Sequence, residues 1–208
     1  MDQGPKRRMV EGAARLLAER GLQETSFSEV LALTGAPRGS IYYHFPEGKS
    51  QLVSQALEFA AEGVLERLEA LRGLPADEVA AAFFGMWRQL LVQGGFRIGC
   101  SAAAVTVATD SSDLLASAAT VFRAWTGLLA DLLVAGGVPE EAGSATATLL
   151  LSATEGAVIL SRAQEDIEPF DLAARALESY VRGLIRGSRG LRDGSLASGH
   201  LRGEAAGE

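Results

Sequence analysis

From Arg38 to His44 the chain sets Arg, Gly, Ser, Ile, Tyr, Tyr and His in consecutive positions. A guanidinium forks onto a guanine edge or a phosphate, and hydroxyl and imidazole groups donate to phosphate oxygens. A glycine among them lets backbone approach a surface closely. These residue types suit contact with a nucleic acid. Bond-breaking chemistry has much less to work with. The two histidines, His44 and His200, lie far apart, and no HExxH, GxSxG, P-loop or glycine-rich strand-to-helix turn occurs. Catalysis would rest on isolated carboxylates, so an enzyme is the remote reading, and no metal or cofactor is expected.

Short helices must position the Arg38–His44 run. The first is expected to begin near Pro5, a good opening residue. Its apolar side is Val10, Ala13, Ala14 and Leu17, and it ends at Arg20 before Gly21. Ser26 and Glu29 make a capping box ahead of Val30, Leu31 and Leu33. Gly35 closes that second helix and Pro37 opens the third, with Ile41 and Phe45 four apart on its inward side. Pro46-Glu47-Gly48 breaks it. Two helices across a glycine turn, held by a small core, are the parts of a helix-turn-helix.

The segment resembles the head of the TetR family of bacterial repressors. The family run of Lys/Arg, Gly, Thr/Ser, aliphatic, Tyr, Tyr/Trp, His and Phe stands here as Arg38-Gly39-Ser40-Ile41-Tyr42-Tyr43-His44-Phe45, followed by Lys49. Two departures are Pro37, where the family usually has Ser, and a Pro46-Glu47-Gly48 connection one residue longer than usual. Both resemble the LmrA/YxaF-like subgroup, as does Gly99-Cys100 before an alanine-rich stretch. The resemblance implies that Thr25 and Ser26 contact phosphate, and that Arg38 and Ser40 face bases with Gly39 supplying backbone. It implies further that Tyr42, Tyr43, His44 and Lys49 hold phosphates. Plainer readings stand beside these: His44 as a structural histidine, Tyr42 as core beside Ile41, Arg38 as solvated charge. Lys6, Arg7 and Arg8 read more readily as an unordered basic arm than as defined contacts.

Helical spacing continues to residue 187, with helices expected at 49–72, 76–93, 101–109, 112–135, 139–164 and 169–187. The fold class is therefore all-α, with about nine helices. Residues 1–48 form the DNA-binding head and 49–187 a body for effector binding and dimerisation. Residues 188–208, rich in Gly, Ser and Ala, read as a disordered tail. Small residues Ala145, Thr148, Ser152 and Gly156 would admit a partner helix. Leu172, Ala176, Leu177, Tyr180, Val181 and Leu184 form a face wider than one neighbour needs. A homodimer on a pseudo-palindromic double-stranded DNA operator follows from the resemblance.

Phe83, Phe84, Trp87, Phe96, Phe122 and Trp125 are the body's aromatic set. Singly, each reads as ordinary core; together, beside small residues, they suit the lining of an apolar ligand cavity. Glu155 sits in the apolar LLLSATEGAVIL and needs a partner if buried, either Arg162, Arg123 or a ligand group. Cys100, a lone cysteine, reads as a small buried hydrophobe.

The net charge of −7 argues against simple affinity for nucleic acid. Its distribution softens this: residues 1–49 hold seven basic groups against six acidic, the rest twelve against twenty. No uninterrupted apolar run approaches the ~20 residues of a membrane span, and the charged start lacks an apolar segment behind it. One cysteine fits a reducing compartment, so the cytoplasm is expected. The expected function is a repressor released from its operator by a small-molecule effector. Few cations are visible in the body, so that effector is expected to be apolar, neutral or cationic. The alternative is a DNA-binding regulator controlled by a protein partner or by no effector.

Overall fold

Glycine and proline punctuate the chain where its helices stop. The computed structural model describes residues 4–200, the side chains of 188–200 excepted. Among these residues it contains nine helices and no strand. They are α1 (Pro5–Glu24), α2 (Phe27–Thr34), α3 (Arg38–His44), α4 (Lys49–Glu69), α5 (Ala76–Gln93), α6 (Ser101–Ala108), α7 (Ser112–Ala135), α8 (Glu140–Gln164) and α9 (Glu168–His200). Gly21 interrupts α1 with φ 79°, a conformation that costs a glycine nothing, so the main helix ends where the sequence places its stop. Gly35, at φ 65°, is the left-handed cap that closes α2.

The head core is small: Leu17, Val30, Ile41 and Phe45 are buried together with Leu52 and Val53 of α4. Leu33, expected among them, is instead exposed. It follows Val30 by three residues and lies over the edge of α1, near Gly12. The expected basic arm is also corrected. Helix α1 already runs from Pro5, so Lys6 and Arg7 sit in its first turn. Lys6 Nζ lies 6.0 Å from the Phe45 ring centre, and Arg7 Nε donates to Glu11 Oε1 at 3.1 Å.

Helix α4 packs on α1 at one end and on α7 along the body, while α8 packs on α7 and α9. By length and composition α7 and α8 are apolar enough to cross a membrane. Here both are packed against neighbouring helices, and Arg123, Asp131, Glu155 and Arg162 interrupt their sequences. Helix α9 outruns its expected end at Gly187. It continues to His200, so the expected disordered tail is corrected for 188–200. An established helix adds one hydrogen bond for each further residue. Residues 201–208 of that expected tail lie outside the described residues.

Candidate nucleic-acid interface

On α3 the buried and exposed residues separate cleanly. Ile41 and Phe45 are 0% and 1% exposed, whereas Tyr42 and Tyr43 are 62% and 81% exposed. Arg38 and Gly39 are exposed at the start of the helix, and Ser40 is half-buried. Pro37 offers no side-chain cap, but the Ser40 hydroxyl donates to the Pro37 carbonyl at 2.7 Å and steadies the first turn. Tyr42 stands edge-on to Phe27 of α2, with ring centres 5.6 Å apart. Tyr43 and His44 stack edge-on at 5.1 Å. Seven expected contact residues thus share one end of the head: Ser26, Arg38, Gly39, Ser40, Tyr42, Tyr43 and His44 lie on or beside the α2–α3 unit.

Ser26 accepts from the Glu29 backbone N–H at 3.2 Å, the first half of the expected capping box. The second half is absent, because the Glu29 carboxylate takes Arg20 at 3.1 Å. Thr25 is placed differently from the expectation. Its side chain is buried and its hydroxyl donates to the Gly21 carbonyl at 2.8 Å, closing the end of α1. It supports Ser26 from behind. Lys49 is exposed, yet its ammonium donates to the Leu22 carbonyl at 2.8 Å, and partial burial lowers its pKa from the ordinary lysine value. Two of its protons remain for an outside acceptor.

Two further contacts join the head to the body. Gly99 N–H donates to the Ala18 carbonyl at 2.9 Å, and Gln23 Nε2 donates to the Ala108 carbonyl at 3.3 Å.

In the body, five of the six aromatics fall into two packed groups. Phe83, Phe84, Trp87 and Trp125 are buried and pack edge-on, Trp87 against Trp125 at 6.3 Å and Phe84 against Phe170 at 6.2 Å. Phe122 joins Trp125 at 6.0 Å. Edge-to-face packing of this kind is ordinary core cohesion. Trp87 also borders an open cavity of about 380 Å³ with Val64 and Met86. Phe96 lies elsewhere, in a groove of about 740 Å³ between α1 and α8.

Glu155 finds neither expected arginine. Arg123 donates to Thr120 Oγ1, and Arg162 lies against Gly99. Burial raises the Glu155 pKa, and an interaction with the Cys100 thiol opposes the rise. Burial and the nearby Glu155 together push the Cys100 thiol well up, so it is held as the inert thiol. Trp87 Nε1 and Glu155 Oε1 are buried without a hydrogen-bond partner.

Residues 9–56 match the family described as "Bacterial regulatory proteins, tetR family", and residues 75–176 match "Transcriptional regulator LmrA/YxaF-like, C-terminal domain". A helix-turn-helix transcriptional regulator of Mycobacterium tuberculosis is 42% identical over 187 residues, covering 86% of this chain and 95% of that one. The chain belongs to the TetR family. YxaF of Bacillus subtilis, another helix-turn-helix regulator, is 26% identical over 85% of this chain and 95% of its own. A TetR regulator from Legionella pneumophila shares the fold with a TM-score of 0.77 at 20% identity, covering 86% of this chain and 99% of that one.

This TetR regulator therefore carries a DNA-binding helix-turn-helix, and its family and the relatives named are transcriptional regulators rather than enzymes. The LmrA/YxaF-like match covers the body, the part least legible from the sequence. Sequence reasoning missed the arginines of the α1–α8 groove: Arg15, Arg20, Arg97 and Arg162 are spread along most of the chain, and only the tertiary fold brings them together.

Proposed function

We propose that the protein is a homodimeric transcriptional repressor, acting in the cytoplasm, that α3 seats in the major groove of a pseudo-palindromic operator. The observation that carries this is the exposure of Tyr42 and Tyr43 on a helix whose alternate side is fully buried. Large aromatics left in water on a short helix suit a surface meant for a partner. In this reading Arg38 and Ser40 reach base edges beside the bare Gly39 backbone. Ser26, Tyr42, Tyr43, His44 and Lys49 hold phosphates and fix the register.

The dimer reading rests on α8 and α9. Ile159 and Leu160 are 64% and 53% exposed, and Leu149, Leu172 and Tyr180 are exposed as well. Ala145, Thr148, Ser152 and Gly156 also face outward, so a second α8 has room to approach. Sedimentation of the wild type is expected to give a dimer. Ile159→Glu with Leu160→Glu is expected to give a folded monomer that no longer binds operator. A wild-type monomer that binds operator fully would overturn the dimer.

Release by a small molecule is supported by Trp87 Nε1 and Glu155 Oε1, buried polar atoms left for a ligand or water to satisfy. An apolar effector with a neutral or cationic donor suits Glu155. It would act by selecting a dimer whose recognition helices are wrongly spaced. Tight binding of such a molecule with unchanged operator affinity would overturn this mechanism. The close packing of Phe83, Phe84, Trp87 and Trp125 supports a second reading, control by a protein partner or by no effector.

A further inference from the structure

We infer that the groove between α1, the α5–α6 connection and α8 is a separate ligand site for an organic oxyanion with an apolar body. Its volume of about 740 Å³ lies in the range of small-molecule sites. Arg15 and Arg20 enter it from α1, Phe96, Arg97 and Ile98 from the connection, and Arg162 from α8.

The charges there are not all spent. Arg15 pairs with Glu19 at 2.8 Å and Arg20 with Glu29 at 3.1 Å. The guanidinium groups of Arg97 and Arg162 make no hydrogen bond or ion pair among the described residues, although both line the same groove. Two like charges held at one cavity repel until an anion joins them. Guanidinium is the side chain that grips carboxylate or phosphate with two parallel hydrogen bonds.

The local backbone makes room for this arrangement. A Cβ on Gly99 would stand 2.5 Å from Arg162 Nη1, so the glycine leaves the guanidinium its place. Gly95 and Phe96 both adopt left-handed backbone, with φ 55° and 59°. That conformation is uncommon for a phenylalanine, and here it sets Phe96 and Arg97 consecutively at the groove. Phe96 and Ile98 are half-buried, which gives the apolar part of a ligand a surface beside the arginines. The groove spans head and body where Gly99 N–H meets the Ala18 carbonyl, so its occupant touches both units.

The test uses the full chain and the fluorescence of anilinonaphthalene sulfonate, with its uncharged parent phenylnaphthylamine as control. Arg97 and Arg162 are exposed, so Arg97→Gln with Arg162→Gln is expected to keep the wild-type circular dichroism. It is expected to bind the sulfonate about tenfold more weakly, the loss of one charge-assisted hydrogen bond or more. Binding of phenylnaphthylamine stays as in wild type. Gly99→Ala, which displaces the Arg162 guanidinium alone, gives a smaller loss with the same selectivity. Octanoate and octyl phosphate displace the sulfonate dye while octanol does not, and the stronger competitor tells a carboxylate head from a phosphate head. Unchanged sulfonate binding in the double variant, equal loss of both dyes, or equal displacement by octanol overturns the site.

Discussion

Helices α3 and α5 each carry two adjacent aromatic residues, and the fold treats them oppositely. Tyr42 and Tyr43 stand in water, while Phe83 and Phe84 are each 2% exposed. Adjacent residues on a helix point about 100° apart, so both can be buried only when neighbours cover much of the circumference. Helix α5 has α7, α8 and α9 around it, whereas α3 packs mainly against α1 and α2. One side of α3, Ile41 and Phe45, is enough to anchor it. The rest remains free for contact. Exposure, rather than residue type, separates a contact aromatic from a core aromatic.

The largest expected effect breaks the comparison at the buried pair. Phe84→Ala is expected to cost about 3–5 kcal/mol of stability, whereas Tyr43→Ala changes it by no more than about 0.5 kcal/mol. Denaturant unfolding of both variants measures the difference, and equal losses would mean that Tyr43 is structural. Next comes DNA affinity. Arg38→Ala is expected to weaken operator binding by about 1–3 kcal/mol and to relax the preference at one base position. Fluorescence anisotropy with matched and mismatched duplexes reads both, and uniform weakening across sequences would make Arg38 a phosphate contact instead.

Smaller effects probe what holds α3 in place. Gly35 sits at φ 65°, so Gly35→Ala is expected to cost about 1–2 kcal/mol, seen as a lowered thermal midpoint. An unchanged midpoint would mean that the turn relaxes without strain. The smallest effect lies in the body. Burial raises the Glu155 pKa in the folded chain, so the folded state holds that proton more tightly than the unfolded state. Its contribution to stability is full below the unfolded value, about 4.3, and is lost as pH rises through the folded value. Glu155→Gln does not titrate, so its midpoint relative to wild type should climb across that window. A flat difference would show that Glu155 is solvated in the folded chain.

Much of this arrangement was legible along the chain. Proline and glycine stops placed the helix ends within a few residues, because those residues act locally through φ and the missing N–H. The head core followed from the four-residue spacing of Ile41 and Phe45. Legibility failed where neighbours decide. Thr25 turned inward because the chain bends at Gly21, and Leu33 fell outside the core because α1 covers only part of α2. Five of the aromatics pack as rings in two groups, while Phe96 lies apart in the α1–α8 groove. Two body cations, Arg97 and Arg162, meet Arg15 and Arg20 of the head in one groove, a convergence that no periodicity within one element can announce.

The account rests most directly on α3 reading a sequence. Sheared genomic DNA selected on wild-type protein, with Arg38→Ala/Tyr43→Ala as control, tests that claim. Enrichment of a pseudo-palindromic sequence by the wild type alone is the predicted result. No enrichment at moderate salt, or the same fragments recovered by both proteins, would contradict it.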